Sequence, residues 1–127
     1  MKLVKDNGLK VCMATSTAAH PAWMARKYPD ILRVEHNGMK RKFGARHNSC
    51  PNSPNYRKYS AALVEKIAER YKDYDNIVAW HINNEFGGWC YCENCEKAFR
   101  VWLQKKYGTL DELNRVWNTS FWYCCVR

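Results

Sequence analysis

Residues 77–87 of this 127-residue chain are Ile-Val-Ala-Trp-His-Ile-Asn-Asn-Glu-Phe-Gly. The apolar run 77–82 is typical of a buried β-strand, and the polar residues after it mark the end of that strand. Active sites of parallel α/β folds lie at the carboxyl ends of the strands. Glu85, flanked by aromatic residues, is therefore a candidate general acid in a partly apolar pocket. A loop glutamate in a surface salt bridge is the alternative.

The segments before this strand predict a second strand and parts of three helices. Residues 5–8 are typical of a helix end, and 9–15 of a buried strand. Residues 21–27 predict a short helix, and Ser53 followed by Pro54 is a typical start of a longer one. The longer helix is expected to bury one face, formed by Tyr59, Leu63, Ile67, Tyr71 and Tyr74.

Two further helices are predicted after the Glu85 segment. The first ends at Gly108, and Thr109 with Glu112 forms a capping-box pair that starts the second. The apolar face of the first comprises Ala98, Phe99, Trp102, Leu103 and Tyr107. The apolar face of the second comprises Leu110, Leu113, Val116 and Trp117.

Strands that alternate with helices indicate an α/β architecture with parallel strands. Two strands are too few for a parallel sheet, which needs both faces covered. We therefore expect a slice of a larger α/β protein. The chain starts inside a predicted helix, and residues 123–127 fit no element. An interrupted or frameshifted gene is the expectation, with a genuine small protein as the alternative.

The cysteines form the second chemical signal. Cys90, Cys92 and Cys95 lie within six residues, and Cys50 can supply a fourth thiol from the long loop 33–52. Four thiolates around Zn²⁺ make a closed structural site. Free thiols or an iron–sulfur cluster are the alternatives. Cys12 is expected in the core, and Cys124 and Cys125 have no assigned role.

The net charge of +9 raises nucleic acid as a partner. The basic residues are scattered, and the densest cluster is 40–42 with Arg46, so a solvated surface is expected; a basic zinc module that binds nucleic acid is the alternative. Most of the six tryptophans are expected in the core, with sugar-binding platforms as the alternative. The sequence has no visible targeting segment or membrane span, which predicts a cytoplasmic compartment and no membrane partner.

Several segments in the same order resemble glycoside hydrolase family 42, the zinc-containing β-galactosidases. Residues 80–87 resemble its acid/base motif, and 15–23 the loop after an earlier barrel strand. Residues 46–57 resemble its arginine-cysteine segment. The cysteine cluster with the helix that follows it, through residue 110, resembles its post-motif helix. The similarity covers residues 1–122.

The resemblance implies a partial (β/α)₈ TIM barrel in which the two strands are about the third and fourth. It implies hydrolysis of terminal non-reducing β-D-galactosides with retention, with Glu85 as acid/base. Asn84 would bind the sugar 2-hydroxyl and Arg46 other hydroxyls. Structural Zn²⁺ would be held by Cys50, Cys90, Cys92 and Cys95. The full-length parent would be a homo-oligomer.

A retaining glycosidase also needs a carboxylate nucleophile. No other Asp or Glu in the sequence follows a predicted strand end that would face Glu85. A complete barrel needs about 250 residues. Residues 1–122 are therefore interpreted as a fragment of the catalytic domain, with 123–127 as an atypical tail. The chain alone is predicted to be inactive and poorly soluble, and an inert sugar-binding remnant is a further alternative.

Overall fold

A computed structural model of the chain describes residues 1–85 and 87–119. Phe86, the tail 123–127 and its two cysteines lie outside the described residues. The described elements, in chain order, are α1 (Lys2–Asp6), β1 (Val11–Ala14), α2 (Ala22–Lys27), a 3₁₀ turn (Pro29–Ile31), α3 (Pro54–Tyr71), β2 (Ile77–His81), α4 (Glu93–Tyr107) and α5 (Leu110–Trp117). No helix in this part of the chain has the length and apolar character that crossing a membrane requires.

The two strands form a parallel pair, as the alternation of strands and helices predicts. Met13 pairs with Trp80 and Ala14 with His81, so both strands end at the same edge. Thr15 closes that edge. Its amide donates to the His81 carbonyl at 3.1 Å, and its Oγ1 accepts from the Asn83 amide at 2.9 Å. The segments that follow β1 and β2 therefore leave the sheet side by side.

The prediction that both strands are buried is wrong for the described chain. Val78 is 63% exposed and Trp80 40% exposed, and Cys12 is exposed rather than in the core. The physical reason is that this sheet has two strands among the described residues. Apolar strand sequences are buried only where neighbouring elements cover both faces.

The helix faces that the sequence predicts to be buried are also largely exposed. No residue of α3 is buried, and Leu63 is 42% exposed. In α4 and α5 Leu103 and Leu113 are buried, but most of their predicted apolar partners are not. The expectation of buried tryptophans is also wrong, because all five described ones, Trp23, Trp80, Trp89, Trp102 and Trp117, are exposed.

The hydrophobic core is formed outside the two strands. Met24, Ala25 and Ile31 form it, and Ile31 is fully buried. Tyr28, Leu32, Tyr56 and Tyr59 pack around it. The core joins α2, the 3₁₀ turn and the start of α3, and so fixes the beginning of the long loop 33–52.

Two helix caps agree with the sequence and differ in burial. Ser53 is fully buried, accepts from the Tyr56 amide at 3.2 Å and donates to Asp30 at 2.5 Å. Thr109 is exposed and accepts from the Glu112 amide at 3.1 Å. Both side chains cap as predicted, but Ser53 also donates to the half-buried Asp30 carboxylate.

Substituting each cap with alanine is expected to destabilise the chain unequally. Ser53→Ala should lower the free energy of unfolding by about 2 kcal/mol, and Thr109→Ala by about 0.5–1 kcal/mol, because loss of a cap costs roughly 0.5–2 kcal/mol. Ser53→Ala also removes a donor from the half-buried Asp30 carboxylate, which places its loss at the upper end of this range. Urea unfolding followed by circular dichroism measures both variants. Equal losses would contradict the added role of Ser53.

Candidate functional site

The turn after β2 presents Glu85 at the carboxyl edge of the sheet. Its backbone enters the left-handed region at Asn83 (φ 61°), Glu85 (φ 38°) and Gly88 (φ 73°). Non-glycine residues in that region cost about 1–3 kcal/mol each and persist only where surrounding contacts hold them. Such strain concentrates at functional sites, so the turn is a candidate site on backbone grounds as well as on its carboxylate.

Arg46 is the ion-pair partner of Glu85. Its Nη2 lies 3.0 Å from Glu85 Oε2, with the two side chains 61% and 68% exposed. The structure thus brings together two predicted site residues that are far apart in sequence. The partly apolar pocket expected around Glu85 is not formed by the described residues, and the pair has the form of a surface salt bridge. Such a pair contributes about 0–1 kcal/mol to stability.

The Arg46 loop is attached to the segment after β1. The amide of His47, a residue with φ of 62°, donates to the Ala18 carbonyl at 2.9 Å. Behind it, His20 Nδ1 lies 2.6 Å from Ser49 Oγ, and both residues are buried. Burial lowers the pKa of His20, which favours the neutral ring. These contacts hold Arg46 beside the strand edge.

Asn84, the third predicted residue, is half-buried beside Glu85. Its Nδ2 is buried and has no hydrogen-bond partner among the described residues. Buried polar groups are normally paired. The Asn84 amide therefore keeps a donor that this part of the chain leaves unused.

A cavity of about 760 Å³ opens between the strand ends and α3. Thr15 and Asn83, which lie one and two residues after the ends of β1 and β2, line it, as do Arg33, His47 and Tyr56. Sequence reasoning did not single out Arg33 or His47. One available signal is that Arg33 interrupts the apolar run Ile31-Leu32-Arg33-Val34.

The four predicted cysteines come together as one cluster. Their Sγ atoms all lie within 4.8 Å of one another. Cys50 is fully buried, with its Sγ 3.3 Å from that of Cys92 and 3.4 Å from that of Cys95. The Asn52 side-chain amide donates to Cys95 Sγ at 3.4 Å.

Backbone hydrogen bonds hold the cluster between the long loop and α4. The Cys50 amide donates to the Ile31 carbonyl at 2.7 Å, and the Tyr91 amide to the Val34 carbonyl at 2.9 Å. The loop also contains two antiparallel bridges, Leu32 with Ser49 and Val34 with Lys40. The loop is therefore more regular than its sequence predicts, and its hydrogen bond with Tyr91 joins it to the segment just before α4.

The donor set fits Zn²⁺. Tetrahedral zinc with Zn–S bonds of about 2.3 Å places its sulfurs about 3.8 Å apart, close to the spacing in this cluster. Burial raises the pKa of the Cys50 and Cys95 thiols. Burial also raises the pKa of Cys90, but hydrogen bonds with the backbone of Val34 and Cys92 and with neighbouring thiols bring it below its usual value. Four thiols at this spacing would bind a divalent cation as thiolates, whose mutual repulsion the cation would offset.

Comparison with known proteins places the chain among β-galactosidases. The family model Glyco_hydro_42, described as beta-galactosidase, matches residues 1–124. A β-galactosidase of Planococcus sp. (strain L4) is 66% identical over 117 residues, which are 92% of this chain and 17% of that protein. One from Lactobacillus acidophilus is 54% identical over 119 residues, 94% of this chain and 18% of that protein.

Solved structures that resemble this chain are also β-galactosidases. The β-galactosidase of Bacillus circulans sp. alkalophilus matches with a TM-score of 0.94 and 62% identity, over 98% of this chain and 18% of that one. The β-galactosidase of Halorubrum lacusprofundi matches with a TM-score of 0.92 and 37% identity, over 98% of this chain and 19% of that one. The chain thus spans less than a fifth of the length of these relatives.

Proposed function

This chain belongs to the glycoside hydrolase 42 family of β-galactosidases, and we propose that it supplies the acid/base side of a retaining galactosidase active site. Its two strands and their helices are part of the TIM-barrel fold of the matched structures. The activity would belong to a complete barrel in which residues 1–122 are one portion of the catalytic domain. The observation that carries the proposal is the placement of Glu85 at the carboxyl edge of β2, with Arg46 at 3.0 Å.

The proposed reaction has two steps. In the first, the protonated Glu85 gives its proton to the glycosidic oxygen of a terminal β-galactoside while a second carboxylate forms a covalent galactosyl-enzyme. In the second, ionised Glu85 takes a proton from water, which attacks the intermediate. Arg46 would orient the Glu85 carboxyl group and bind sugar hydroxyls, and Asn84 would donate to the 2-hydroxyl through its unused amide.

The second carboxylate would come from another part of the barrel. Within residues 1–85 and 87–119, Glu85 is the only carboxylate that lies fewer than five residues after the end of a strand. Retaining enzymes hold their two carboxyl groups about 5–5.5 Å apart. Hydrolysis is therefore assigned to the complete enzyme, and the chain alone is expected to be inactive.

We further propose that Cys50, Cys90, Cys92 and Cys95 hold one structural Zn²⁺. The all-sulfur donor set supports this choice, because structural zinc sites are typically closed by four protein ligands. The metal would brace the long loop against α4 and take no part in the reaction.

A chimera tests the function in an intact barrel. The aligned 117 residues of the Planococcus sp. enzyme are replaced by those of this chain, which are 66% identical. The chimera is expected to hydrolyse phenyl β-galactoside and to release β-galactose first, which NMR detects. A folded chimera that is inactive, or that releases α-galactose first, would contradict the proposal.

Substituting Arg46 separates sugar binding from stability. Arg46→Ala in the chimera is expected to lower kcat/KM for galactosides by about 10–100-fold, because a hydrogen bond to a charged group contributes about 1.5–3 kcal/mol. The melting temperature should hardly change, since exposed ion pairs contribute about 0–1 kcal/mol. Arg115→Ala is the matched control, because Arg115 makes an exposed ion pair with Glu112 on α5. Equal effects of the two variants on kcat/KM would contradict the proposed sugar-binding role of Arg46.

A further inference from the structure

Arg33 is a buried charge that the function proposed above does not use. It is 8% exposed, lies in an apolar segment, and is in none of the ion pairs found in the described part of the chain. Its Nε is buried and has no hydrogen-bond partner there. Burying a charged group without a carboxylate partner is costly. A charged residue buried in this way calls for a specific role.

The guanidinium group packs against the backbone that follows Glu85. Arg33 Nη1 donates to the Gly87 carbonyl at 2.8 Å, a contact across 54 residues of sequence. A Cβ added at Gly88 would lie 2.6 Å from the same nitrogen. The close approach therefore depends on glycine at position 88, whose φ of 73° also favours glycine.

The backbone of Arg33 is itself fixed. Its amide donates to the Asn48 carbonyl at 2.8 Å, and its carbonyl accepts from the Arg41 amide at 2.8 Å. Asn48 is two residues from Arg46. The next residue, Val34, binds the Tyr91 amide beside the cysteine cluster. Arg33 thus extends from a hydrogen-bonded segment that already connects the Arg46 loop with the cysteines.

We propose that Arg33 is a positioning residue for Glu85, a role that rests on the acid/base function proposed for that carboxylate. Its guanidinium group holds the Gly87 carbonyl and so fixes the left-handed turn that presents Glu85 at the strand edge. A planar, rigid donor suits this task better than the flexible point charge of lysine. Arg33 does not need to touch the substrate.

The expected kinetic signature is a selective loss of proton donation. A general acid must lie within hydrogen-bond reach of the leaving oxygen, and a misplacement of about 1 Å can cost about 10²-fold in rate. Phenol is a poor leaving group and needs the proton. Dinitrophenol is a good one and leaves without it. Displacing Glu85 should therefore slow the first substrate far more than the second.

The test measures kcat/KM for phenyl and dinitrophenyl β-galactosides in the chimera and in its Arg33→Met and Arg33→Lys variants. Arg33→Met is expected to lower the phenyl value by about 10–100-fold and the dinitrophenyl value by less than about 3-fold. Arg33→Lys should give a smaller loss of the same selectivity. Zinc content and melting temperature identify the folded fraction. Proportional losses for both substrates in folded, zinc-loaded protein would overturn the proposal.

A second variant keeps the test decisive if Arg33→Met does not fold. Gly88→Ala leaves the arginine in place and forces its guanidinium away, so it should show the same selective loss. Gly108→Ala is the control, because Gly108 has a matching φ of 74° and nothing within 4 Å of an added Cβ. An unchanged ratio of phenyl to dinitrophenyl activity in folded Gly88→Ala protein would overturn the role of Arg33.

Glu85→Gln supplies the reference that separates the two proposals. If Glu85→Gln lowers the phenyl value selectively but the Arg33 and Gly88 variants do not, the positioning role fails and the acid/base function stands. If Glu85→Gln shows no selective loss, the acid/base function fails and the positioning role fails with it.

Discussion

Replacing Glu85 with glutamine is expected to lower kcat/KM of the chimera for phenyl β-galactoside by about 10²–10⁴-fold, the usual contribution of a general acid. Glutamine keeps the size of the side chain but has no proton to give to the leaving oxygen. With dinitrophenyl β-galactoside the first step should survive and the second should become slow, because water then lacks its base. Added azide, a nucleophile that needs no base, should restore turnover and yield β-galactosyl azide. Steady-state kinetics and product analysis measure both effects.

The matched control for Glu85→Gln is Glu69→Gln. Glu69 lies on α3 with its side chain 65% exposed, against 68% for Glu85, and is likewise in an ion pair. Both variants remove one exposed salt bridge and should change the free energy of unfolding by no more than about 1 kcal/mol. Activity should fall in Glu85→Gln alone. A comparable loss in Glu69→Gln, or no azide rescue, would refute the assignment.

Features set by neighbours in the sequence are predictable here. The Ser53 and Thr109 caps form as expected, because a cap depends on side chains and amides within one helical turn. The strand ahead of Glu85 is also found, because its apolar run ends abruptly at polar residues. The cysteine cluster could be anticipated because three of its members lie within six residues and only one distant thiol had to be placed.

Burial and contacts that depend on residues distant in sequence could not be predicted from local patterns. Burial of Val78 and Leu63 depends on elements that cover them, and the described chain leaves both exposed. The environment of Glu85 differs for the same reason, since the described residues around it leave its side chain 68% exposed. Arg33 could not be assigned either. Its role depends on a single hydrogen bond to a carbonyl 54 residues away, and an arginine in an apolar run is equally typical of an edge strand that faces solvent.

Loss of the cysteine metal site is expected to have the largest effect on stability. Structural zinc in small domains contributes about 10–16 kcal/mol of binding free energy, which is also folding free energy. Cys50→Ser removes the buried member of the cluster and should abolish zinc retention and lower the melting temperature strongly. Elemental analysis after dialysis, together with thermal unfolding of the chimera, measures both. Cys12→Ser is the control, because Cys12 is an exposed thiol on β1, outside the cluster.

Removing zinc should also displace the turn that presents Glu85. Cys50 is hydrogen-bonded to Ile31 and Tyr91 to Val34, so the cluster holds both sides of the segment from which Arg33 extends to Gly87. Treating the chimera with a chelator at a temperature where it stays folded is expected to lower phenyl β-galactoside hydrolysis more than that of the dinitrophenyl substrate. Added Zn²⁺ should restore the ratio. Equal losses for both substrates would indicate that the metal stabilises the fold without holding the turn, and unchanged unfolding after zinc removal would refute the structural site itself.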